Sequence, residues 1–169
     1  GTAVGFPSGG HTTAVKVFET RELIHLGCQE IDMVINIGKM ISGRFEEVHD
    51  DIEAVVEAAD GHPVKAILEC HYLEDDLILK ACDLSIQAGA SWIKTSTGWA
   101  ATSATPENVT LIKSHVGDTI GIKAAGGIRD LQKLLNLYKC GARLFGVGLS
   151  SSTTILNEAF SLPGGKIEF

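Results

Sequence analysis

The chain has 169 residues, 44% of them hydrophobic, and carries a formal net charge of −7. This length and apolar content suffice for one buried core, so we expect a single domain over residues 1–169. The negative charge disfavours nucleic acid as a partner, because a phosphate polymer would be repelled. No apolar run approaches the roughly 20 residues that a membrane-spanning helix needs, and we expect a cytoplasmic protein.

Short β-branched segments alternate along the chain with segments of helical spacing. The predicted strands are residues 2–6, 30–36, 64–69, 91–95, 119–123 and 144–147. The predicted helices are residues 13–26, 45–59, 74–88, 106–115, 130–139 and 152–160. The strands are almost continuously apolar, as expected where both faces of a parallel sheet are covered. The alternation therefore predicts an α/β fold with a parallel sheet.

A weak repeat refines this interpretation. Gly27, Gly89 and Gly141 each follow a predicted helix and precede a predicted strand, where a left-handed residue ends a helix. The residues five positions after these glycines are Asp32, Lys94 and Gly146. They are predicted to lie at equivalent depths on three parallel strands. A (β/α)8 barrel of the TIM type, with its chemistry at the C-terminal face, has this organisation. The same alternation permits an open doubly wound sheet, and we favour the barrel.

About six strand–helix units can be counted, whereas a complete barrel usually has at least about 200 residues. The sequence also begins inside an apparent strand at residues 1–6. We expect either a barrel that lacks two leading units at its N-terminus or a shortened variant of the fold.

Two lysines, Lys94 and Lys123, end predicted strands and open loops of small residues. Lysine is rarely buried, and most lysines simply extend the ammonium group to solvent. Two of them on successive strands, converging on one barrel mouth, favour a functional interpretation. A lysine attacks a carbonyl carbon only as the neutral amine, and desolvation together with a neighbouring ammonium favours that form. The pair therefore suits carbinolamine and Schiff-base formation.

Asp32 is an acid embedded in an apolar strand. One interpretation is structural: the carboxylate pairs with a lysine and neutralises it. The other is a proton shuttle, because forming and using an enamine requires proton movement at the substrate carbons. The two roles are compatible, and the residues alone leave both open.

Three glycine-containing loops follow the late strands, at residues 94–98, 123–129 and 145–152. Backbone N–H groups of such loops and of helix starts can bind a phosphate, and barrels often place that site after their last two strands. A single Gly-Gly pair is usually only a turn. Two glycine loops after the last two strands therefore predict a phosphate site.

The remaining reactive side chains are weaker candidates. The four cysteines are widely spaced and are interpreted as free thiols. Cys70 and His71 follow a predicted strand, where adjacent side chains point to opposite faces, so we do not expect a nucleophilic dyad. The histidines show no ligand spacing, and no metal site is expected.

Four stretches, taken together with Asp32, Lys94 and Lys123, closely resemble the deoxyribose-phosphate aldolase family. They are Val4-Gly5-Phe6-Pro7, residues 30–36, the Lys-Thr-Ser-Thr-Gly of residues 94–98 and the Lys-Ala-Ala-Gly-Gly-Ile-Arg of residues 123–129. They occur in the family order, at nearly the family spacing, and cover almost the whole chain. The two lysine motifs together are highly specific for this family.

The resemblance implies a class I aldolase on a (β/α)8 barrel that needs no metal or other cofactor. Its substrate would be a small phosphorylated sugar, 2-deoxy-D-ribose 5-phosphate, cleaved to glyceraldehyde 3-phosphate and acetaldehyde. By the family pattern, Lys94 is the Schiff-base lysine, Lys123 perturbs it and assists proton transfer, and Asp32 is the proton-relay acid. The implied substrate and phosphate contacts are Thr97, Gly98, Gly126, Gly127, Gly146 and Gly148.

The sequence departs from the family pattern near the implied phosphate site. Gly148 and Leu149 replace two serines found in many members, and Trp99 stands where lysine or phenylalanine is more usual. These changes leave open another phosphorylated sugar or keto compound as the substrate. The six-unit count leaves open an inactive, truncated homologue. Because barrels of this kind often self-associate, a homo-oligomer is a further expectation.

Overall fold

The computed structural model of the chain describes residues 1–162 and residue 164, so the end of the predicted domain of residues 1–169 lies outside the described part. Strands and helices alternate along the chain, except that two helices follow the second strand. The strands are β1 (Thr2–Val4), β2 (Ile31–Val34), β3 (Val64–Ile67), β4 (Trp92–Lys94), β5 (Gly121–Ala125) and β6 (Leu144–Gly146). The α-helices are α1 (Thr13–His25), α2 (Ile37–Ile41), α3 (Phe45–Ala58), α4 (Asp75–Gln87), α5 (Pro106–Val116), α6 (Leu131–Lys139) and α7 (Leu149–Phe160), and a 3-10 turn covers Cys70–Tyr72.

The described strands form one parallel sheet in the order β1-β2-β3-β4-β5-β6. A doubly wound sheet reverses its strand order at a switch point, and no reversal occurs among these six strands. Successive outer helices pack side by side, α3 against α4, α4 against α5, α5 against α6 and α6 against α7. The predicted TIM-barrel-type α/β fold with six βα units is therefore confirmed, as a curled half-barrel.

The sheet separates an apolar outer side from a polar inner side. Outward-pointing strand residues such as Met33, Ala66 and Ile93 are fully buried and share the main core with the helices. The inner side carries a smaller apolar cluster of Val34, Ile37 and Ile67. Next to it lie the charged residues of the strands, and this inner face forms the base of the candidate site.

Asp32 and Lys94, predicted to lie at one depth, are offset by two positions in the strand register. Asp32 pairs with Lys65 of β3, which pairs with Trp92 of β4, two positions before Lys94. In a barrel with a shear of about eight residues over eight strands, residues at one depth are offset by one position per strand, which is two positions over the two strands from β2 to β4. Asp32 and Lys94 therefore lie in one slanted layer, and their side chains meet.

The same offset continues to β6. Lys94 pairs directly with Lys123, and Lys123 pairs with Leu144, two positions before Gly146. The same barrel geometry would place Gly146 in the layer of Lys94, which is the position that the glycine repeat predicts. Because partners in a parallel ladder point to the same face, Lys94 and Lys123 both project to the inner side of the sheet.

Side-chain caps explain where several helices begin. Thr105 accepts a hydrogen bond from the backbone N–H of Asn108 (3.1 Å) and is followed by Pro106 at the first helical position. Asp130 accepts one from Lys133 N–H (2.7 Å) and begins α6 directly after the glycine loop of residues 123–129. These caps fix the loop lengths between the strand ends and the helices.

Several predicted boundaries were wrong. Helix α2 was not predicted, and α7 begins at Leu149 instead of residue 152. Strand β5 extends over Gly121–Ala125 instead of residues 119–123, because Thr119 N–H bonds back to Val116 in the turn that ends α5. The other strands are shorter at one or both ends than predicted, since the flanking residues leave the ladder to form loops.

Candidate active site

A carboxylate and two lysines meet on the inner face of the sheet. Lys94 Nζ and Lys123 Nζ, at equivalent positions of β4 and β5, each donate a hydrogen bond to Asp32 Oδ2 at 2.6 Å. All three side chains are largely buried, with 12–14% of each exposed. The structure therefore brings together the three residues that the sequence singled out for catalysis.

A third lysine lies below this group. Lys65 of β3 forms ion pairs with Asp32 Oδ1 at 3.2 Å and with Glu30 at 2.7 Å, and its side chain is only 1% exposed. Sequence reasoning missed Lys65. The signal was available, because a lysine in the middle of the apolar strand Val64–Ile67 needs an explanation as much as one at a strand end.

Asp32 stays ionised in this setting. Burial alone would raise the pKa of its carboxyl group, but the hydrogen bonds from Lys123 and Lys94 and their charges outweigh burial and lower the pKa to about 2. At neutral pH, Asp32 is therefore an anion that accepts hydrogen bonds from both lysines.

The Lys94 ammonium is destabilised. Burial is the largest effect and lowers the pKa of Lys94, and the charges of Lys123 and Lys65 act in the same direction. The hydrogen bond and charge of Asp32 oppose them without restoring the ordinary value. A larger share of Lys94 is consequently the neutral amine, the form that attacks carbonyl carbon.

A cavity of about 400 Å³ opens beside Lys94. It is lined by every residue that was predicted to contact the substrate or its phosphate group. These are Thr97, Gly98, Gly126, Gly127, Gly146 and Gly148. Arg129 and Ser151 also line it, and sequence reasoning missed both as site residues. The cavity is thus lined both by Lys94 and by residues of the three glycine loops.

The glycines of this cavity allow the loops to approach each other. Gly126 has a φ of +87°, and a Cβ there would lie 2.9 Å from Ser103 Cβ and 3.0 Å from Gly98 Cα. A side chain at this position would force the two loops apart. Gly148, at the cavity edge, begins the twelve-residue helix α7. The free N–H groups of that first turn are suited to an anion.

The rim of the cavity includes the apolar side chain of Trp99, and the exposed Leu149 follows the lining residue Gly148; both positions depart from the family pattern. Trp99 lines the cavity, is 76% exposed and makes an edge-to-face contact with Phe6 at 5.4 Å between ring centroids. Leu149 is 88% exposed at the start of α7. The rim therefore presents apolar surface in addition to the backbone groups of the loops.

The predicted environment of Cys70 and His71 needs correction. They lie in the 3-10 turn after β3 instead of on a strand, so the opposite-face argument does not apply to them. Burial raises the pKa of the Cys70 thiol to about 12, which leaves it protonated at neutral pH. His71 instead bonds to Thr102 Oγ1 at 2.7 Å. These contacts give a separate reason not to expect a nucleophilic dyad.

Two further findings concern other kinds of site. On α3, the ligand atoms of His49, Asp50 and Glu53 lie within 4.8 Å of one another at the surface, and exposed acidic groups commonly cluster without a metal. Among the described residues, no helix combines the length and the apolar character needed to cross a bilayer.

The model of the DeoC/LacD family aldolases matches residues 1–152. A deoxyribose-phosphate aldolase of Klebsiella pneumoniae subsp. pneumoniae is 49% identical over 158 residues, covering 94% of this chain and 64% of that protein. One from Staphylococcus epidermidis is 50% identical over 160 residues, covering 90% of this chain and 73% of that protein.

A solved structure gives the same result. The deoxyribose phosphate aldolase of Aeropyrum pernix, described as tetrameric, superposes with a TM-score of 0.85 at 31% identity over 94% of this chain and 67% of that one. The chain thus spans about two thirds of the length of these relatives. The resemblance noted in the sequence is confirmed.

Proposed function

Because the chain belongs to the DeoC/LacD family of aldolases, which are carbon–carbon lyases, we propose that it cleaves 2-deoxy-D-ribose 5-phosphate to glyceraldehyde 3-phosphate and acetaldehyde. The observation that carries this proposal is the Lys94–Asp32–Lys123 group, with both ammonium nitrogens 2.6 Å from one carboxylate oxygen beside a cavity.

The proposed reaction begins when the neutral Lys94 amine attacks the substrate aldehyde. Lys123 and Asp32 move the protons that turn the carbinolamine into an iminium and water. The C3 hydroxyl group then loses its proton and the C2–C3 bond breaks, so that C3 becomes the aldehyde carbon of the departing glyceraldehyde 3-phosphate. The electron pair of the broken bond passes into the iminium to form an enamine. Protonation of the enamine and hydrolysis release acetaldehyde and return the free amine.

The non-reacting end of the substrate binds in the glycine-lined part of the cavity. Backbone N–H groups around Gly126, Gly127 and Gly148 and the start of α7 surround a space of suitable size for a phosphate group. Arg129 contributes the positive charge of this region. In this proposal no metal or other cofactor takes part.

A second candidate is a Schiff-base aldolase for another phosphorylated sugar or keto compound. It is favoured by Trp99, which exposes apolar surface at the cavity, and by Gly148, which provides no side-chain donor there and is followed by the exposed Leu149. A substrate panel separates the two, since efficient cleavage of a different sugar phosphate with poor cleavage of deoxyribose phosphate would favour the second.

Borohydride trapping tests the proposal directly. The protein is reduced in the presence of 2-deoxy-D-ribose 5-phosphate and its intact mass is measured, with Lys94→Ala as the test variant and the exposed Lys139→Ala as the matched control. The expected result is an adduct in the wild type and in Lys139→Ala but none in Lys94→Ala. Equal trapping in Lys94→Ala would refute the assignment. A folded wild type without adduct would favour another substrate or an inactive homologue.

We further propose that the protein acts as a homo-oligomer in the cytoplasm. The oligomer is supported by the tetrameric description of the Aeropyrum pernix relative. Light scattering of the purified chain measures the assembly state, and a monomer at all concentrations would contradict this part of the proposal.

A further inference from the structure

Glu69 lies where β3 ends and the chain turns into the 3-10 turn of Cys70–Tyr72. Its side chain is only 1% exposed, and its backbone φ of +54° is in the left-handed region. That region is unfavourable for a residue with a side chain and is maintained only where the surroundings require it. A buried carboxylate in a strained backbone position beside a candidate active site calls for an explanation.

The Glu69 carboxylate binds the loop that follows β4. Its Oε2 accepts a hydrogen bond from the backbone N–H of Thr97 at 3.1 Å and another from the Thr97 hydroxyl group. Thr97 Oγ1 in turn accepts the backbone N–H of Trp99 at 3.0 Å. Glu69 Oε1 is buried and has no hydrogen-bond partner among the described residues. One oxygen atom of Glu69 therefore holds both the backbone N–H group and the hydroxyl group of Thr97.

The segment held in this way forms one wall of the cavity. Thr97, Gly98 and Trp99 all line the cavity together with Lys94. Gly98 has a φ of +89° and lies against Gly126 in the opposite loop. A shift of Thr97 would therefore move the wall and also alter its contact with the glycine loop across the cavity.

We infer that Glu69 is a positioning residue that holds residues 97–99 in the shape that binds the non-reacting, phosphate-bearing end of the substrate. This inference rests on the proposed function and deepens it. Glu69 touches no reacting atom and acts through Thr97. Without the Glu69 acceptor, the Thr97 N–H group has no partner in its present position, and the loop must rearrange to satisfy it.

Hydrogen exchange at the amides of residues 95–101 tests the positioning role without requiring activity. In Glu69→Leu these amides should exchange at least about tenfold faster than in the wild type, because both hydrogen bonds from Thr97 are lost. Glu69→Gln should stay close to the wild type. The glutamine oxygen can accept both bonds, and its NH2 group takes the place of Oε1, which accepts none among the described residues.

The matched control is Glu74→Leu, the same substitution at an exposed residue that makes no side-chain cap bond before α4. It should leave exchange of residues 95–101 unchanged. If Glu69→Leu does not fold, Thr97→Val provides a second test, because it removes the hydroxyl group while retaining Glu69. Faster exchange at Trp99 is then expected, and unchanged exchange would overturn the inference.

Kinetics test the consequence for the substrate. In Glu69→Leu, KM for 2-deoxy-D-ribose 5-phosphate should rise about tenfold, since the wall that binds its phosphate end is displaced. Borohydride-trapped adduct formation with acetaldehyde should change less than about twofold, because this small aldehyde needs only Lys94. Glu69→Gln should restore KM to within about threefold of the wild type.

The outcomes separate the two proposals. A wild type that gives no acetaldehyde adduct argues against the proposed function, while the exchange data still decide whether Glu69 positions the loop. Faster exchange in Glu69→Leu with an unchanged KM would overturn the link to substrate binding. An equal loss of acetaldehyde trapping would place Glu69 in the support of Lys94 instead.

Discussion

At the scale of single residues, the protonation of Lys94 is set by neighbours that act in opposite directions. Burial and the charges of Lys123 and Lys65 lower its pKa below 10.5, whereas Asp32 raises it. The attacking form is the neutral amine, so adduct formation increases with pH, and the midpoint of that increase follows the pKa of Lys94. In the wild type we expect this midpoint below 10.5, the ordinary lysine value.

Substitution of the two neighbours should shift the midpoint in opposite directions. Asp32→Asn removes the group that raises the pKa of Lys94, so the midpoint moves to lower pH even though proton transfer becomes slower. Lys123→Met removes a group that lowers the pKa, so the midpoint moves to higher pH. The measurement is the rate of cyanoborohydride-trapped adduct formation with acetaldehyde as a function of pH. Shifts of the same sign in both variants would contradict this account.

The charged centre was predictable because charge in an apolar strand is conspicuous. Asp32, Lys94 and Lys123 could be identified from position alone, and the structure joins them. Lys65 and Glu69 were missed for different reasons. Lys65 lies in the middle of a strand, away from the strand ends that drew attention to Lys94 and Lys123. Glu69 has a left-handed backbone conformation after β3, which no strand or helix period reveals.

At the scale of secondary-structure elements, the side-chain packing between β4 and β5 requires a glycine. Trp92 and Gly121 are ladder partners, two positions before Lys94 and Lys123. A Cβ at Gly121 would lie 2.3 Å from the Trp92 ring. The indole thus lies across the glycine and closes the inner face beneath the two lysines.

Gly121→Ala should therefore destabilise the protein by about 1–3 kcal/mol, the usual cost of overpacking a filled space. The control is Gly38→Ala within α2, where the nearest atom to an added Cβ is 3.6 Å away. That substitution should be neutral or stabilising, because alanine favours a helix over glycine. Urea unfolding measures both free energies, and a loss in Gly38→Ala as large as in Gly121→Ala would contradict the packing argument.

The elements themselves were predicted where their pattern was long. Helices such as α3 and α4 have three or more turns of apolar spacing and were placed within a residue or two. Helix α2 has only five residues, too few for a helical period to appear. The start of α7 at Leu149 was missed because its cap residue is Gly148, which makes no side-chain cap bond. A Ser, Thr, Asp or Asn at that position would have indicated the start of a helix.

At the scale of the whole molecule, the sequence favoured a barrel over an open sheet but could not decide between them. Both folds alternate strands and helices, and they differ in strand order. That order is set by which helices pack beside one another, a long-range property absent from any local period. The consecutive strand order observed in the structure distinguishes the barrel-type fold from the open doubly wound sheet.

A buried ion pair links two helices of the outer layer to the sheet. Lys16 of α1 is fully buried and donates to Asp51 Oδ2 of α3 at 2.5 Å and to the carbonyl oxygen of Val34, at the end of β2, at 3.0 Å. Asp51 Oδ1 also accepts the Thr13 hydroxyl group at 2.7 Å. Two helices are thereby joined at the strand end that lies two residues beyond Asp32.

Removal of one partner of this ion pair should lower the free energy of unfolding more than removal of both partners. Asp51→Leu leaves the Lys16 ammonium buried without its anion, and we expect a loss of about 3–5 kcal/mol in the free energy of unfolding. The double variant Lys16→Met/Asp51→Leu replaces the pair by apolar groups of similar volume and should recover most of that loss, less the bonds to Val34 and Thr13. Urea unfolding of both variants measures the difference. A double variant no more stable than Asp51→Leu would mean that the elements are held by the bonds to Val34 and Thr13 and not by the balance of the two charges.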